Sequence, residues 1–333
     1  MSYELALFKK NRLDSLYQKY LVSVKYVYTN AVKQINNIQR SRIHSRNKKI
    51  RINNLVNRYY ANVNWLKFIF GQNKLAIEKY IPPKVVISGN KKALLVGINY
   101  TGTSNELYGC INDVNSVKER ITQNGFTNIN TLTDLTANKP TKQNILSEFQ
   151  NLLVNSNEGD LLFFSYSGHG SYTLDRNGDE TDGYDELLVS SDLQGITDDE
   201  LKLVIQTHLK KNVTLFAMID SCFSGSVLDL KYQYLDSLNY DNYTENVKQL
   251  DTVGNVFMIS GCTDEQTSAD AFINNKYSGA MTWSLLEALK ESPNYKWREL
   301  IKSMRDKLKH SEYEQVPQFS SGTFVNIDDE IFI

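Results

Sequence analysis

Two short segments of this 333-residue chain hold the side chains best able to do chemistry: Tyr166-Ser167-Gly168-His169-Gly170 and Asp220-Ser221-Cys222-Phe223-Ser224-Gly225. A thiol is only a few per cent ionised near neutral pH, so it attacks a carbonyl efficiently only beside a base or a positive charge. His169 can be that partner for Cys222, polarising the sulfur and later protonating a leaving amine. Glycines at 168 and 170 let the backbone approach a substrate closely, and the N–H groups of Gly170 and Cys222 would hold the tetrahedral oxyanion. Alone, a buried Cys is ordinarily a small hydrophobe and a His a structural hydrogen-bonder. The pairing of the two segments is what points to a nucleophile and its base. Cys110 and Cys262 do not follow an apolar strand beside a histidine-bearing one, and His44, His208 and His310 fall on charged helical segments.

These segments need strands to present them. Leu161-Leu162-Phe163-Phe164 precedes the first and the apolar run Val213 to Ile219 precedes the second. Strands of a parallel sheet present side chains at their carboxyl ends, where open α/β folds build their sites. Further strands are expected at 93–99, 129–133, 255–260 and 323–326, and helices near 112–124, 142–155, 198–208, 278–289 and 296–309. Strands alternating with helical patterns imply βαβ units, right-handed crossovers and a mostly parallel sheet covered on both faces. Residues 1–70 contain no Gly or Pro, and apolar residues recur at helical spacing through Leu13, Leu16, Tyr20, Val24, Val27, Ala31, Ile35 and Ile38. A second such run passes through Leu55, Tyr59, Val63, Leu66 and Ile69 to Gly71, with a break expected in Arg40–Lys49. Pro82-Pro83 closes this helical region. The domains expected are therefore a basic helical region at 1–85 and a catalytic domain at 86–333. The latter holds a polar stretch at 231–254, read as a surface loop, between parts at 86–230 and 255–333.

The histidine lies 53 residues before the cysteine, close to the separation in caspase-type proteases. Residues 91–326 resemble the metacaspases, a family of the caspase-like clan of cysteine proteases. Beyond the two segments above, the resemblance rests on Tyr108-Gly109-Cys110-Ile111-Asn112-Asp113, Gly178 to Glu186, Ile196 to Glu200, Leu228-Asp229-Leu230, Ser260 to Asp270 and Pro317 to Ser321. It implies a caspase-haemoglobinase-like α/β fold, a mostly parallel six-stranded sheet flanked by helices, with the N-terminal helical region added. It also implies a Cys–His endopeptidase that cleaves protein or peptide substrates after Arg or Lys, is stimulated by Ca²⁺ and can process itself. The pocket for the basic side chain would be lined by Cys110, Asp113, Ser167 and Asp220, the two carboxylates opposing the cation. On their own, Asp113 reads equally as an acid in the first turn of a helix and Asp220 as a strand-end cap. Asp270 is a further acidic candidate. Where the family usually has His after the nucleophile, this chain has Phe223.

The acidic run from Asp175 to Glu200 suggests a hard cation. Asp175, Asn177, Asp179 and Glu186 fit EF-hand positions 1, 3, 5 and 12, but Glu180 stands where that loop needs Gly and a strand-like Leu187-Leu188-Val189 follows. An EF-hand is not expected. By resemblance the Ca²⁺ ligands are Asp185, Asp198, Asp199 and Asp229, while Asp198 and Asp199 also suit a helix N-terminus.

Composition sets the frame. At 41% hydrophobic residues the chain can bury a large core, and no stretch approaches 18 uninterrupted apolar residues, so no membrane-spanning helix is expected. The opening residues do not resemble a secretory signal. Three well-spread cysteines argue against a disulfide framework, so a cytoplasmic monomer is expected. The net charge of −1 conceals a division: residues 1–92 hold 19 Lys/Arg against 3 Asp/Glu, and the remainder 18 against 35. The basic region could pack on itself, contact nucleic acid or an anionic membrane, or insert Arg or Lys from Arg40–Arg51 into the acidic pocket until cleavage there, or at Lys231 or Lys248, releases it. A catalytically weak caspase-fold scaffold that binds partners through this region is the competing reading.

Overall fold

A computed structural model describes residues 2–175, 183–222, 224–234, 243–261, 270–273, 276–292 and 294–333. The chain forms two compact units, Met1–Pro82 and Pro83–Ile333. The first is an antiparallel helical hairpin. Helix α1 (Tyr3–Arg40) starts at Ser2, whose hydroxyl accepts from the Leu5 N–H at 3.3 Å, and α2 (Ser45–Lys79) follows a four-residue turn. Aromatic pairs run along the seam: Phe8 with Tyr80, Tyr20 with Phe70, Tyr28 with Tyr59. Gly71 does not end the second helix, contrary to the expectation from the apolar pattern. One glycine in a long helix costs only about 1 kcal/mol, and the helix stops instead before Pro82-Pro83.

In the second unit the strands are β1 (Lys91–Gly97), β2 (Asn128–Thr133), β3 (Leu161–Ser167), β4 (Gly170–Leu174), β5 (Tyr184–Val189), β6 (Gly195–Thr197), β7 (Thr214–Asp220), β8 (Tyr232–Tyr234), β9 (Tyr243–Glu245), β10 (Asn255–Ser260), β11 (Asp270–Ile273), β12 (Lys276–Gly279) and β13 (Gln318–Ser321). The helices are α3 (Cys110–Gln123), α4 (Lys142–Val154), α5 (Asp198–His208), α6 (Ala280–Glu291) and α7 (Trp297–His310). Eight strands form one sheet in the order β2-β1-β3-β7-β10-β13-β8-β9. The first five are parallel and the last three antiparallel. Strand order turns at β1, which has β2 on one side and β3 on the other, the place where open parallel sheets leave a crevice at their carboxyl ends.

Two sequence expectations shift. The sixth strand lies at Gln318–Ser321 rather than 323–326, and the expected loop 231–254 contains β8 and β9. Alternation in Tyr232-Gln233-Tyr234 buries both tyrosines against Phe324 and Tyr243, a strand signal hidden by the polar residues around it. Strands β3 and β7 are buried along their whole length. One face of the sheet packs Leu162, Phe164, Leu215 and Ala217 under α4 and α5. On the other face Phe216, Phe257 and Phe319 stack on Trp297 of α7.

Candidate active site

Strands β3 and β7 are neighbours in register, Ser167 opposite Asp220, so His169 and Cys222 leave adjacent strand ends. The two segments touch through their backbones. A Cβ placed on Gly170 would stand 1.9 Å from the Cys222 carbonyl oxygen, which only glycine avoids. One on Gly168 would stand 2.7 Å from the Tyr166 hydroxyl and 2.9 Å from that of Tyr100. Cys222 and His169 are both half-buried, which suits groups that must meet both each other and a substrate. Phe223 lies outside the described residues, as do Cys262, Asn177 and Asp179; the Asp270 side chain is likewise undescribed.

The backbone of His169 is held on both sides. Its N–H donates to the Tyr100 hydroxyl at 2.9 Å, and its carbonyl accepts from the Tyr166 hydroxyl at 2.8 Å and the Val189 N–H at 3.0 Å. The two hydroxyls lie 3.1 Å apart, and each reaches the Val189 carbonyl. Burial raises both tyrosine pKa values, so both stay neutral donors. The imidazole lies over the Tyr100 ring at a centroid distance of 4.7 Å, and its Nε2 is 2.7 Å from the Asn105 carbonyl oxygen. A carbonyl can only accept, so Nε2 carries the proton and Nδ1 is the nitrogen that exchanges one. Sequence reasoning missed Tyr100 and Asn105. The available signal was their place just after β1, beside the turn in strand order.

The residues expected to receive a basic side chain come from the first turn of α3 and from the ends of β3 and β7. Asp113, in the first turn of α3, is 1% exposed and accepts from the Ser167 hydroxyl at 2.7 Å, the Ser278 hydroxyl at 2.5 Å and the Gly279 N–H at 3.0 Å. Asp220 is 4% exposed and accepts from the N–H and the hydroxyl of Thr282, both at 2.8 Å, in the first turn of α6. A Cβ on Gly279 would stand 2.2 Å from an oxygen of Asp220 and 2.9 Å from one of Asp113. The two acids therefore lie side by side against Gly279; Asp113 stands in the first turn of α3 and Asp220 at the end of β7, as their local context suggested. Burial, reinforced by the charge of Asp220, pushes Asp113 up to about 7. The structure places Cys110, 5% exposed, near the hydroxyls of Tyr100 and Tyr166. Ser278, Gly279 and Thr282, contributed by β12 and α6, were not read from sequence.

The acidic run gathers as well. Carboxylate oxygens of Asp185, Asp198 and Asp199 lie within 4.8 Å of one another. Asp198 accepts from the Glu186 N–H at 2.8 Å, and burial together with the charge of Asp229 pushes it up to about 7. Asp229 adopts φ 48° and pairs with Lys202 at 3.1 Å. Carboxylates packed this closely could hold a cation, and an all-oxygen donor set would suit Ca²⁺. Thr197 and Glu200 complete a capping box at the start of α5, so Asp198 and Asp199 do stand at a helix N-terminus. Of the two lysines expected as cleavage points, Lys231 is paired with Asp251 at 3.0 Å and Glu245 at 3.8 Å, whereas Lys248 is exposed in a turn.

Residues 91–231 match the family model described as metacaspase, peptidase C14 domain. The chain is 36% identical to Metacaspase-1A of Neurospora crassa, over 72% of this chain and 64% of that protein, and so spans less than two thirds of its length. It is 36% identical to Metacaspase-1 of Scheffersomyces stipitis over 75% and 74% of the two chains. With Metacaspase-1 of Meyerozyma guilliermondii the identity is 34% over 71% and 70%. A crystal structure of a protein from Geobacter sulfurreducens shares the fold, with a TM-score of 0.54 at 24% identity over 72% of this chain and 95% of that one.

Proposed function

This chain belongs to the metacaspase family, and from that premise we propose that it is a calcium-stimulated cysteine endopeptidase cleaving after Arg or Lys. The observation that supports the reading best is a buried pair of carboxylates, Asp113 and Asp220, lying below adjacent strand ends that carry Cys222 and His169. Asp113's hydrogen-bond partners are all neutral. A guanidinium or ammonium reaching the pair would meet two acids in a low-dielectric setting. A caspase-like preference for Asp would place a third negative charge there.

In the reaction proposed, Cys222 sulfur gives up its proton to Nδ1 of His169 and attacks the carbonyl carbon of the basic residue. The oxyanion is held by backbone N–H groups of Gly170 and Cys222. The His169 imidazolium then protonates the leaving amine as the C–N bond breaks, and water hydrolyses the thioester with His169 as base. Asp185, Asp198 and Asp199, with Asp229 beside them, would hold Ca²⁺, which would supply the positive charge this cluster needs. Strand β5 begins beside that cluster and ends at Val189, whose N–H donates to the His169 carbonyl. The order of this strand therefore bears on the position of the histidine. Self-cleavage would fall at the exposed Lys248 rather than at the half-buried Lys231, and three well-spread cysteines support a reducing, cytoplasmic setting.

Turnover of fluorogenic peptides ending in Arg, Lys or Asp, with and without Ca²⁺, tests the whole reading. Cleavage after Arg and Lys that collapses on chelation is the expected result. Cleavage after Asp, or activity indifferent to chelator, overturns the specificity or the metal reading respectively.

A further inference from the structure

The reaction makes no use of the hairpin Met1–Pro82. Its sequence is unusual in one respect: between Asp14 and Glu78 stand twelve Lys/Arg and not one Asp or Glu. Across residues 2–82 there are sixteen Lys/Arg and three acids, so the unit cannot neutralise itself, and Glu4 is buried. Self-repulsion of this size destabilises a small unit unless something outside it supplies negative charge.

The charge is concentrated. The hairpin is antiparallel, so both of its ends lie together and the turn at 41–44 forms a tip about 57 Å away, from 38 residues at 1.5 Å each. Around that tip, within twelve residues, stand Arg40, Arg42, Arg46, Lys48, Lys49 and Arg51. All but Lys48 are exposed; the end of α1 and the start of α2 meet there, so their dipoles largely cancel and the side chains carry the charge. Roughly 18 Å below the tip, an aromatic row crosses the hairpin. Tyr28 lies 6.3 Å from Tyr59, and Tyr59 lies 5.3 Å from Tyr60. Tyr28 is 57% exposed and Tyr60 60%, with Lys25 and Arg58 alongside in sequence.

We propose that this hairpin binds single-stranded nucleic acid, the tip cations engaging phosphates and the Tyr28–Tyr59–Tyr60 row stacking on bases. Cations that track a backbone combined with exposed aromatics on which bases stack are what sequence-tolerant single-strand binding requires. An anionic membrane fits less well, because a helix lying in a bilayer surface keeps one apolar face clear of charge. Here exposed apolar residues point several ways: Leu21 and Val22 are consecutive, and Lys67 stands between Trp65 and Phe68. A second copy of the hairpin would bring like charge against like.

The test uses the full chain and a labelled 20-nucleotide oligo(dT) or oligo(U), read by fluorescence anisotropy at several salt concentrations. If the five exposed tip cations engage phosphates, log K should fall against log salt with a slope of about −3.5. Arg42→Gln with Arg46→Gln and Lys49→Gln should flatten the slope to about −1.4 and weaken binding at least tenfold. Tyr28→Ala with Tyr60→Ala should weaken binding at least about fivefold while leaving the slope unchanged. Matched thermal unfolding curves confirm that the variants fold. Oligonucleotide binding that is absent, or insensitive to both sets of changes, overturns the proposal. So does equal binding of a 20-bp duplex with no effect of the tyrosine changes. Binding only to phosphatidylserine-containing vesicles overturns it in favour of a membrane surface.

Discussion

The buried acid pair makes a quantitative demand on pH. Asp113 is raised from 3.8 to about 7 by burial and by the neighbouring charge of Asp220, a difference worth about 4 kcal/mol. The folded protein thus holds this proton more tightly than the unfolded chain does. Stability from this group falls as pH rises from about 4 to about 7, and above 7 the full cost of two buried charges is present. A cation bound between the carboxylates reverses the preference, because it favours the ionised form. At pH 6 about nine-tenths of the protein carries the proton on Asp113, and at pH 8 about one-tenth. An Arg-ending peptide must expel that proton to bind. Its affinity for Cys222→Ala protein, in which thiol ionisation plays no part, should therefore be about tenfold weaker at pH 6 than at pH 8. Titration calorimetry in buffers of different ionisation enthalpy should detect release of nearly one proton per peptide at pH 6 and almost none at pH 8. Asp113→Asn, which mimics the protonated acid in shape, should bind weakly at both values and release no proton. Affinity of the parent protein that is flat from pH 6 to 8, with no proton release, would refute the reasoning from the buried acid pair.

Four further outcomes follow from the geometry. Cys222→Ala and His169→Ala should each abolish peptide cleavage while leaving the unfolding midpoint near that of the parent; near-normal turnover by either variant removes that residue from the reaction. Gly170→Ala forces a methyl onto the Cys222 carbonyl, and kcat should fall at least about a hundredfold; unchanged kcat would show that the two segments can part without loss. Tyr100→Phe deprives the His169 N–H of its acceptor, a change of about 1–3 kcal/mol. It should lower kcat more than it raises KM, and an effect confined to KM would contradict the positioning role. Lys202→Met removes the ammonium paired with Asp229. Calcium affinity measured by calorimetry should rise, whereas an unchanged or weaker affinity would mean that Lys202 does not compete with the metal.

What could be read in the sequence divides along a physical line. Features set by consecutive residues were legible. The apolar runs before Ser167 and Asp220 predicted β3 and β7, and the periodic apolar residues of 1–38 predicted α1. The acid-rich start of α5 and the glycines beside His169 were equally plain. Features set by residues far apart in the chain were not. That Asp113 and Asp220 are buried side by side depends on Ser278, Gly279 and Thr282, which arrive from β12 and α6 more than 55 residues after Asp220. Nothing in the spacing of those residues announces the meeting. The same holds for Tyr100, whose hydroxyl anchors His169 from 69 residues away. At Asp113 and Asp220 the local and the long-range readings are both true. Asp113 lies within the first turn of α3 and Asp220 closes β7, as local sequence suggests. Each is also buried beside a like charge, an arrangement that costs stability and that helix capping alone does not require. A stability cost retained at adjacent strand ends, beneath a thiol and an imidazole, is the physical reason to look for a cationic substrate there.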